Sequence, residues 1–412
     1  FKNLGLIVVD ESHDQSYYQS ESAPSYNARE LAAAYARQVG AVCLAGSATP
    51  DVTTTFRAAR GEWQGLSLPE RILAHKEAVR LQMERVQTSE GFKTLGDLAG
   101  SRFHSLEADA ETTELPPVNI IDMRSELKEG NRSIFSNALQ AEITRILEYG
   151  QQGILFLNRR GMATYVFCRD CGYALKCPRC DIPLTFHIQS RKRSNALICH
   201  RCGYTRNMPQ KCPECNSVRI KQFGTGTERV EAEVHELFPQ ARTLRWDWET
   251  TRQKGSHDAI LSHFANHQAD ILIGTQMLAK GLDLPFVTMV GAILADVGLQ
   301  LPDYRATERA FQILTQVAGR AGRSPLGGQV ILQTFQPEHY VIQMASEHDY
   351  RGFYKKEIEH RRRLGYPPFA RLVRLEFRGP DEPKVEQTAQ NLSHQIQGWI
   401  QQSGQRAIEI IG

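Results

Sequence analysis

The stretch LGLIVVDESH, residues 4–13, is an unbroken apolar run that ends in four polar residues. Such a run is typical of a parallel strand that is buried on both faces. A helical pattern follows at residues 27–39, and a second apolar run, AVCLAG, leads into SATP at residues 47–50. A strand, a polar turn, a helix and a second strand in this order predict an α/β fold.

A second α/β pattern begins near Pro117. The apolar runs VNIID, GILFLNRRG, ADILIGTQ, VTMVGAILAD and GQVILQTF predict strands, and amphipathic patterns at 137–149 and 305–319 predict helices. Residues 86–115 are polar and weakly patterned, which predicts an irregular connection or a polar insertion. From about Phe369 a new pattern starts with RLVRLEFRG and a long amphipathic helix, and the final IEIIG reads as a strand cut off in mid-domain. Because the first residue is Phe rather than Met, we expect a piece of a longer protein.

The composition excludes a membrane-spanning protein, and only two basic segments of the chain suggest binding to nucleic acid. The 412 residues are 41% hydrophobic and 23% charged, and no apolar run approaches the ~20 residues needed to cross a bilayer. Residues 168–221 hold eleven Lys or Arg against three acidic residues, a formal +8 that leaves −5 for the remainder of the +3 chain. A second basic run, 351–378, holds nine Lys or Arg against three Glu. This second run is either a phosphate-contacting surface or a solvated helix face.

Eight of the nine cysteines form four Cys-x-x-Cys knuckles within residues 168–215. Each knuckle can place two sulfurs on one metal ion, so the set predicts two closed structural zinc sites of four thiolates each. Eighteen residues separate the second knuckle from the third, a spacing typical of a zinc site. That spacing favours an inner and an outer quartet, although four knuckles can be joined in pairs in three ways. The inner quartet is Cys177, Cys180, Cys199 and Cys202, and the outer is Cys168, Cys171, Cys212 and Cys215. The alternative is a disulfide framework or a redox Cys-x-x-Cys, which is disfavoured because no secretory signal is present and cytosolic thiols stay reduced.

Two adjacent carboxylates, Asp10 and Glu11, stand where the first strand gives way to a loop. Ligands of open α/β sheets bind at this end of the strands. One carboxylate there can hold a hydrated magnesium ion, and its neighbour can orient or deprotonate an attacking water. A solvated surface pair is the simpler interpretation of two acids in isolation.

Further motifs in a fixed order favour the catalytic interpretation. Two arginines in QVAGRAGR, Arg320 and Arg323, can pair with a γ-phosphate as arginine fingers. Together with DESH, these motifs resemble motifs II through VI of superfamily 2 helicases. They are GSATP at 46–50, FLNRRG at 156–161, GTQMLAKGLD at 274–283 and QVAGRAGR at 316–323.

Within that superfamily the chain resembles the PriA family of primosomal replication-restart helicases. The resemblance rests on DESHD, a tyrosine-rich loop, the four knuckles, GTQMLAKG, PDYRATER and QVAGRAGR, and covers the chain except residues 86–115. It implies an ATP-dependent 3′-to-5′ DNA helicase that recognises stalled forks and D-loops and starts primosome assembly to reload the replicative helicase. The implied partners are forked and single-stranded DNA, single-strand DNA-binding protein, other primosome proteins and the helicase-loading machinery. A monomer in the bacterial cytoplasm, associated with the nucleoid and not with a membrane, is expected.

The resemblance also assigns roles to individual residues. The catalytic set is Asp10, Glu11, His13, Gln316, Arg320 and Arg323. Contacts to Mg-ATP are expected from Asp10, Glu11, Gly281, Asp283, Arg320 and Arg323. Contacts to DNA are expected from Tyr17, Tyr18, Tyr26, Arg159, Arg160, Thr275 and Gln276. Exposed tyrosines of the loop can stack on unpaired bases, whereas packing beneath the loop is the alternative.

The sequence departs from the family pattern at three places. Ser12 stands where a Glu is usual, and Leu294 replaces a common Asp while Asp296 is kept. No G-x-x-x-x-G-K-[ST] loop occurs in the 412 residues, so the triphosphate lacks its cradle of amides and its lysine. We therefore expect that this chain alone neither binds ATP tightly nor unwinds DNA.

The predicted architecture is α/β, with RecA-like helicase lobes, an inserted two-zinc module and the start of an α+β C-terminal domain. The first lobe is expected to be incomplete (1–65) and is followed by an interlobe connection (66–116). The second lobe (117–345) is complete and is interrupted by the zinc module at 168–222, and a basic linker and the last domain occupy 346–412. Two other functions fit less well: a non-catalytic zinc-bearing scaffold that binds DNA or protein, and another superfamily 2 translocase.

Overall fold

A computed structural model describes most of the chain in two compact units. The larger unit comprises 1–160, 225–299 and 304–364, and the smaller comprises 161–224, 300–303 and 365–412. Within these bounds the described residues are 3–19, 24–68, 72–75, 103–107, 110–113, 115–158, 164–179, 184–188, 195–199, 204–223, 226–247, 250–251, 255–275, 284, 286–300, 303–321, 324, 327–377, 379–404 and 408–410.

Eighteen strands and ten α-helices lie in the described ranges. The strands are β1 (Leu6–Val9), β2 (Tyr18–Gln19), β3 (Tyr26–Asn27), β4 (Val42–Ala45), β5 (Ile72–His75), β6 (Phe103–Glu107), β7 (Ala110–Thr113), β8 (Val118–Asp122), β9 (Gln152–Phe156), β10 (Thr164–Cys168), β11 (Thr185–Ile188), β12 (Asn195–Ile198), β13 (Thr205–Asn207), β14 (Ile220–Phe223), β15 (Thr243–Trp246), β16 (Ile271–Gly274), β17 (Val287–Ala292) and β18 (Gln329–Thr334). The helices are α1 (Ala28–Val39), α2 (Val52–Ala59), α3 (Met123–Lys128), α4 (Asn137–Glu148), α5 (Thr227–Leu237), α6 (Ser256–Ala265), α7 (Ala306–Ala321), α8 (Tyr340–Ser346), α9 (Tyr350–Leu364) and α10 (Glu382–Ser403).

The N-terminal part of the larger unit is a small parallel arrangement around β1 and β4, which pair in register from Leu6 with Val42. Helix α1 connects them. It begins where the Asn27 side chain accepts a hydrogen bond from the Arg29 amide at 3.0 Å, and it ends at Gly40, whose φ of 70° suits a glycine. The parallel pairing directs the ends of both strands, DESH and SATP, to the same edge.

The main sheet of the larger unit has six parallel strands in the order β15-β16-β9-β17-β18-β8. Its central strands β9, β16 and β17 are buried at every position, as expected where helices cover both faces. Side chains such as Ile154, Leu272 and Phe311 join one continuous core, each stabilising the fold by about 1.5–3 kcal/mol through burial. In the part of the chain that the structure describes, no helix is both long enough and apolar enough to cross a bilayer.

The expectation of an irregular connection at 86–115 is wrong for part of that range. Strands β6 and β7 pair antiparallel there, and β7 also pairs with β5 in a three-stranded sheet. The pairing of β5 with β7 joins residues 35 to 40 positions apart, such as His75 with Ala110 and Ile72 with Thr112, so no local periodicity predicts it.

The smaller unit contains a five-stranded antiparallel sheet in the order β13-β12-β11-β10-β14. Its core is made largely of cysteines and neighbouring apolar residues, among them Leu175, Phe186 and Leu197. The long helix α10 begins after Asp381, whose side chain accepts from the Lys384 amide at 3.4 Å. The expected strand at IEIIG is not formed by residues 408–410, the described part of that segment.

Candidate functional site

The DESH residues leave β1 in a tight turn held by backbone bonds to the end of β4. The Ser12 amide donates to the Gly46 carbonyl at 2.8 Å, and the Gly46 amide donates to the Val9 carbonyl at 2.9 Å. Glu11 adopts φ 44°, a left-handed conformation that costs energy for a residue with a side chain and is enriched at functional sites. Its amide donates to Asp10 Oδ1 at 2.8 Å, and both carboxylates remain exposed. The turn therefore presents two acids to solvent.

His13 joins the DESH turn to the helix that carries QVAGRAGR. Its Nδ1 lies 2.6 Å from Ser47 Oγ, and its Nε2 lies 2.6 Å from Gln316 Nε2 on α7. Because an amide NH₂ group can only donate, Nε2 accepts, and the ring is the Nδ1–H tautomer that donates to Ser47. Burial lowers the pKa of His13 below its ordinary value, and nearby carboxylates, Glu11 first, only partly offset this. The histidine is thus a neutral connector between motif II and motif VI.

One face of α7 lies against the N-terminal segment. Gln312 Nε2 donates to the Thr49 carbonyl at 3.2 Å, and Gln316 contacts His13 one turn later. Arg320 follows after one more turn and is buried, so the 3.6-residue period places it on the same face. The end of this helix packs closely against Gly328, where a Cβ would lie 2.1 Å from the Ala321 carbonyl oxygen, so the position requires a glycine.

A buried arginine on α1 connects the DESH turn with the start of α2. Arg29 donates to the Ser12 carbonyl at 3.0 Å and forms an ion pair with Asp51. Asp51 also accepts from the Thr54 amide at 2.9 Å, which caps α2. One guanidinium therefore fixes the turn after β1 relative to the turn after β4.

A buried ion cluster lies between α2, α7 and α9. Glu308 on α7 accepts from the Val52 amide at 2.6 Å, the first amide of α2, and from Arg361 at 2.8 Å. Arg361 also donates to Glu357 at 2.8 Å. Burial raises the pKa of Glu308 above its ordinary value, with Arg361 opposing the shift and Asp51 adding to it. The two carboxylates exceed the single guanidinium by one negative charge, which the amide end of α2 helps to balance.

The tyrosine-rich loop is partly exposed. Tyr18 and Tyr26 each show 44% exposure. The Arg305 guanidinium lies 5.2 Å from the Tyr18 ring centroid. Tyr17 instead donates from its hydroxyl to the Asp10 carbonyl at 2.7 Å, which ties the loop directly to the DESH turn. The loop thus offers two open rings and one anchored ring.

Other residues predicted for the nucleotide and DNA contacts can be placed only in part. Thr275 directly follows β16, at the same end of the six-stranded sheet as the start of FLNRRG, which follows the parallel strand β9. The following predicted contacts lie outside the described residues: Arg159, Arg160, Gln276, Gly281, Asp283 and Arg323.

The outer cysteine quartet gathers in the smaller unit. The sulfurs of Cys168, Cys171, Cys212 and Cys215 all lie within 4.8 Å of one another. The pairs Cys168–Cys215 and Cys171–Cys212 are each 3.6 Å apart. A tetrahedral ion with Zn–S bonds of about 2.3 Å places its sulfurs about 3.8 Å apart, so the cluster suits zinc and is too open for disulfides.

The inner cysteine quartet is described only in part. Cys177 and Cys199 are both buried in the core of the same sheet. Cys180 and Cys202 lie outside the described residues. The inner site therefore stays a prediction from spacing.

Two regions of the chain match known protein families, and nearly the whole chain is similar to curated bacterial proteins. Residues 177–206 match the PriA DNA helicase Cys-rich region (CRR) domain, and residues 223–325 match the Helicase conserved C-terminal domain. Replication restart protein PriA of Bacillus subtilis is 42% identical over 394 residues, 96% of this chain and 44% of that protein. The PriA proteins of Synechocystis and Haemophilus influenzae are 42% and 33% identical, over 95% and 100% of this chain and 43% and 50% of their own lengths. The chain belongs to the PriA family.

The chain spans about half the length of the curated PriA relatives it matches. Its fold is the α/β helicase fold with a cysteine-rich module, as the six-stranded parallel sheet and both family matches establish. The departure at Leu294 has a structural context: Leu294 is buried, and Asp296 accepts from Thr334 Oγ1 at 2.6 Å and from the Phe335 amide at 2.9 Å. Burial raises the pKa of Asp296, and these two hydrogen bonds oppose the shift.

Several residues of the site were not singled out from the sequence. Ser47, Arg29 and Glu308 all hold the motifs together, yet none is a recognisable catalytic residue by type or spacing. Ser47 lies in SATP and Glu308 in PDYRATER, so each was inside a quoted motif without a role. The buried role of Arg29 could not be predicted from the sequence, because an arginine in the first turn of a helix is usually a surface residue.

Proposed function

We propose that the protein containing this chain is an ATP-dependent 3′-to-5′ DNA helicase of replication restart. It would recognise stalled forks and D-loops and begin primosome assembly, so that the replicative helicase is reloaded. The contact of His13 with Gln316 carries the proposal, because it brings the DESH turn and the QVAGRAGR helix to one place. A nucleotide-driven motor needs this convergence of acids and arginines.

The exposed carboxylates suit Mg-ATP. Asp10 and Glu11 stand at the carboxyl end of a parallel strand, where ligands of such sheets bind, and hard oxygen donors are what magnesium prefers. When bound, the magnesium ion would neutralise charge on the phosphates. Glu11 would orient and deprotonate the attacking water. Arg320 and Arg323 would stabilise negative charge on the transferred phosphoryl group, and Gln316 would hold α7 against the DESH turn through His13.

We propose two structural zinc ions for the cysteine-rich module, one in each quartet. The outer quartet has sulfur spacings that fit a tetrahedral ion, and a four-thiolate site leaves no open coordination position for catalysis. The family match over 177–206 supports the inner site. The module would then stay folded only with its metal, since binding supplies folding free energy.

The proposed partners are forked and single-stranded DNA, single-strand DNA-binding protein, and the primosome and helicase-loading proteins. Tyr18 and Tyr26, both part-exposed, would stack on unpaired bases, and Thr275 and Gln276 would contact the backbone. Arg159, Arg160 and the nucleotide-side residues Gly281 and Asp283 complete the proposed contacts. Action in the bacterial cytoplasm, at the nucleoid, follows from this role.

The proposal is tested by ATP hydrolysis in the protein expressed from its complete gene. DNA-stimulated hydrolysis is expected, and Glu11→Gln should lower its kcat by about 10²–10⁴-fold, the usual effect of removing a general base. Exposed Glu129→Gln is the matched control and should leave kcat unchanged. The isolated 412-residue chain should show no hydrolysis, because it contains no G-x-x-x-x-G-K-[ST] loop. No DNA-stimulated hydrolysis by the wild-type protein would instead favour the non-catalytic scaffold, and equal hydrolysis by wild type and Glu11→Gln would contradict the role proposed for Glu11.

A further inference from the structure

Helix α9 has two opposite faces. Its inner face is fixed in the larger unit by Phe353, Glu357 and Arg361, all at most 1% exposed. The Phe353 ring stacks on Phe311 with centroids 4.2 Å apart, and Arg361 bridges Glu357 and Glu308. This helix is therefore held rigidly, and none of the inner charges is available to a ligand.

The outer face of α9 is strongly basic. Five cations and one carboxylate are exposed there, a net charge of 5 − 1 = +4: Arg351, Lys355, Lys356, Arg362, Arg363 and Glu359. No carboxylate among the described residues forms an ion pair with Arg351, Lys355 or Lys356. The charges of Arg351, Lys355 and Lys356 are therefore not neutralised by an acid within the described ranges.

The cations form two rows along the helix. At about 100° per residue, Arg351, Lys355 and Arg362 fall within about 40° of one another. The second row, Lys356 and Arg363, lies about 100° away, with Glu359 between the rows. Arg351 and Arg362 are separated by about 16 Å along the axis, the rise of roughly five base pairs. Two rows at this spacing suit the phosphates of the two strands that border a duplex groove.

The outer face offers no aromatic surface for base stacking. The aromatic side chains of α9 pack instead against the core of the larger unit: Tyr350, Phe353 and Tyr354. Single-stranded nucleic acid is usually bound by charge combined with stacking platforms, whereas non-specific binding of a duplex needs only phosphate contacts. We infer that the outer face of α9 is a docking surface for the phosphate backbone of duplex DNA. This inference rests on the proposed DNA-directed function and adds where the duplex is held.

The test compares charge-neutralised variants of the 412-residue chain in equilibrium binding to a short blunt DNA duplex. Arg351→Gln, Lys355→Gln and Arg362→Gln are combined, because glutamine keeps helix propensity while removing charge. Across about 50–200 mM salt, the slope of log K against log[salt] should become shallower by about 2.7, at 0.9 per phosphate contact. Adding Lys356→Gln and Arg363→Gln should bring the total change to about 4.5. Binding to an unpaired strand should change less.

The matched control removes the same charge from exposed positions on other helices of the larger unit: Arg37→Gln, Lys128→Gln and Arg229→Gln. It should leave the slope within about one contact of the wild type. Equal losses in the control and the α9 variant overturn the inference, since charge alone would then matter. An unchanged α9 slope overturns it as well, as does a selective loss of binding to a short polyglutamate peptide, which would identify an acidic protein segment as the occupant. DNA-stimulated ATP hydrolysis of the complete-gene protein is a separate readout, so failure of the docking surface is distinguishable from failure of the proposed function.

Discussion

Replacing Arg361 with methionine should strongly destabilise the larger unit. Arg361 is 1% exposed and donates to Glu308 and Glu357 at 2.8 Å each. Methionine fills much of the volume but leaves two buried carboxylates without their cation. Breaking a buried ion pair from one side costs about 3–5 kcal/mol, because the remaining charge stays desolvated. At about 2–4 °C per kcal/mol, the melting temperature should fall by roughly 6–20 °C.

The adjacent Arg362→Met is the matched control for Arg361→Met. Arg362 lies one residue further along the same helix and is exposed, so its loss should change stability by at most about 0.5 kcal/mol. Arg361→Lys should give an intermediate loss, since an ammonium group keeps the charge but lacks the planar fork that reaches both carboxylates. Urea unfolding followed by circular dichroism measures all three free energies of unfolding.

The Arg361→Met deficit should also depend on pH with a definite sign. Burial already raises the pKa of Glu308 in the folded protein, and removal of the guanidinium raises it further. A folded carboxyl with a raised pKa binds protons more readily than the unfolded chain, so stability is lost as pH rises through that range. Acidification from pH 7.5 towards pH 5.5 should therefore shrink the difference between Arg361→Met and wild type. Matching losses for Arg361→Met and Arg362→Met would refute the argument that these charges are buried.

Three further outcomes are expected. Because burial lowers the pKa of His13, its contribution to the free energy of unfolding is present above about pH 6.5 and is lost on acidification. The difference in stability between wild type and His13→Asn should therefore shrink as pH falls. A constant difference contradicts this. Gly328→Ala should cost more than about 1 kcal/mol in urea unfolding, because its Cβ would lie 2.1 Å from the Ala321 carbonyl oxygen. Cys212→Ser should release one equivalent of zinc and expose the smaller unit to protease, whereas Cys43→Ser should change neither.

The ends of β1 and β4, which carry DESH and SATP, could be predicted from sequence because the apolar runs and polar turns that mark them are local. An apolar run ending in DESH and another ending in SATP already imply parallel strands with their functional ends together, and β1 and β4 do pair in parallel. The expected burial of the first strand on both faces is wrong, because Leu6 and Val8 are 54% and 59% exposed. The helical period likewise places Gln312, Gln316 and Arg320 on one face of α7. The contact of His13 with Gln316 joins residues 303 positions apart, so these local signals do not specify it.

The roles of the arginines in the basic run could not be predicted in the same way. The sequence shows Arg361, Arg362 and Arg363 as three adjacent cations, but the structure buries the first and exposes the other two. The difference arises because Arg361 donates to two buried carboxylates. Glu357 lies one helical turn away, and Glu308 lies 53 residues away in the sequence. Long-range pairing of this kind leaves no local pattern in the sequence. For the same reason, neither the role of Arg29 nor the pairing of β5 with β7 could be predicted.

The first and last strands of the cysteine-rich module lie side by side. β10 and β14 pair antiparallel, with Tyr165 opposite Phe223, so the polypeptide departs and returns at nearly one point. Removing a segment whose two ends lie this close together leaves only a short gap for the chain to bridge. This geometry also offers protein engineers a natural grafting position: a short turn in place of residues 164–223 should leave the six parallel strands uninterrupted.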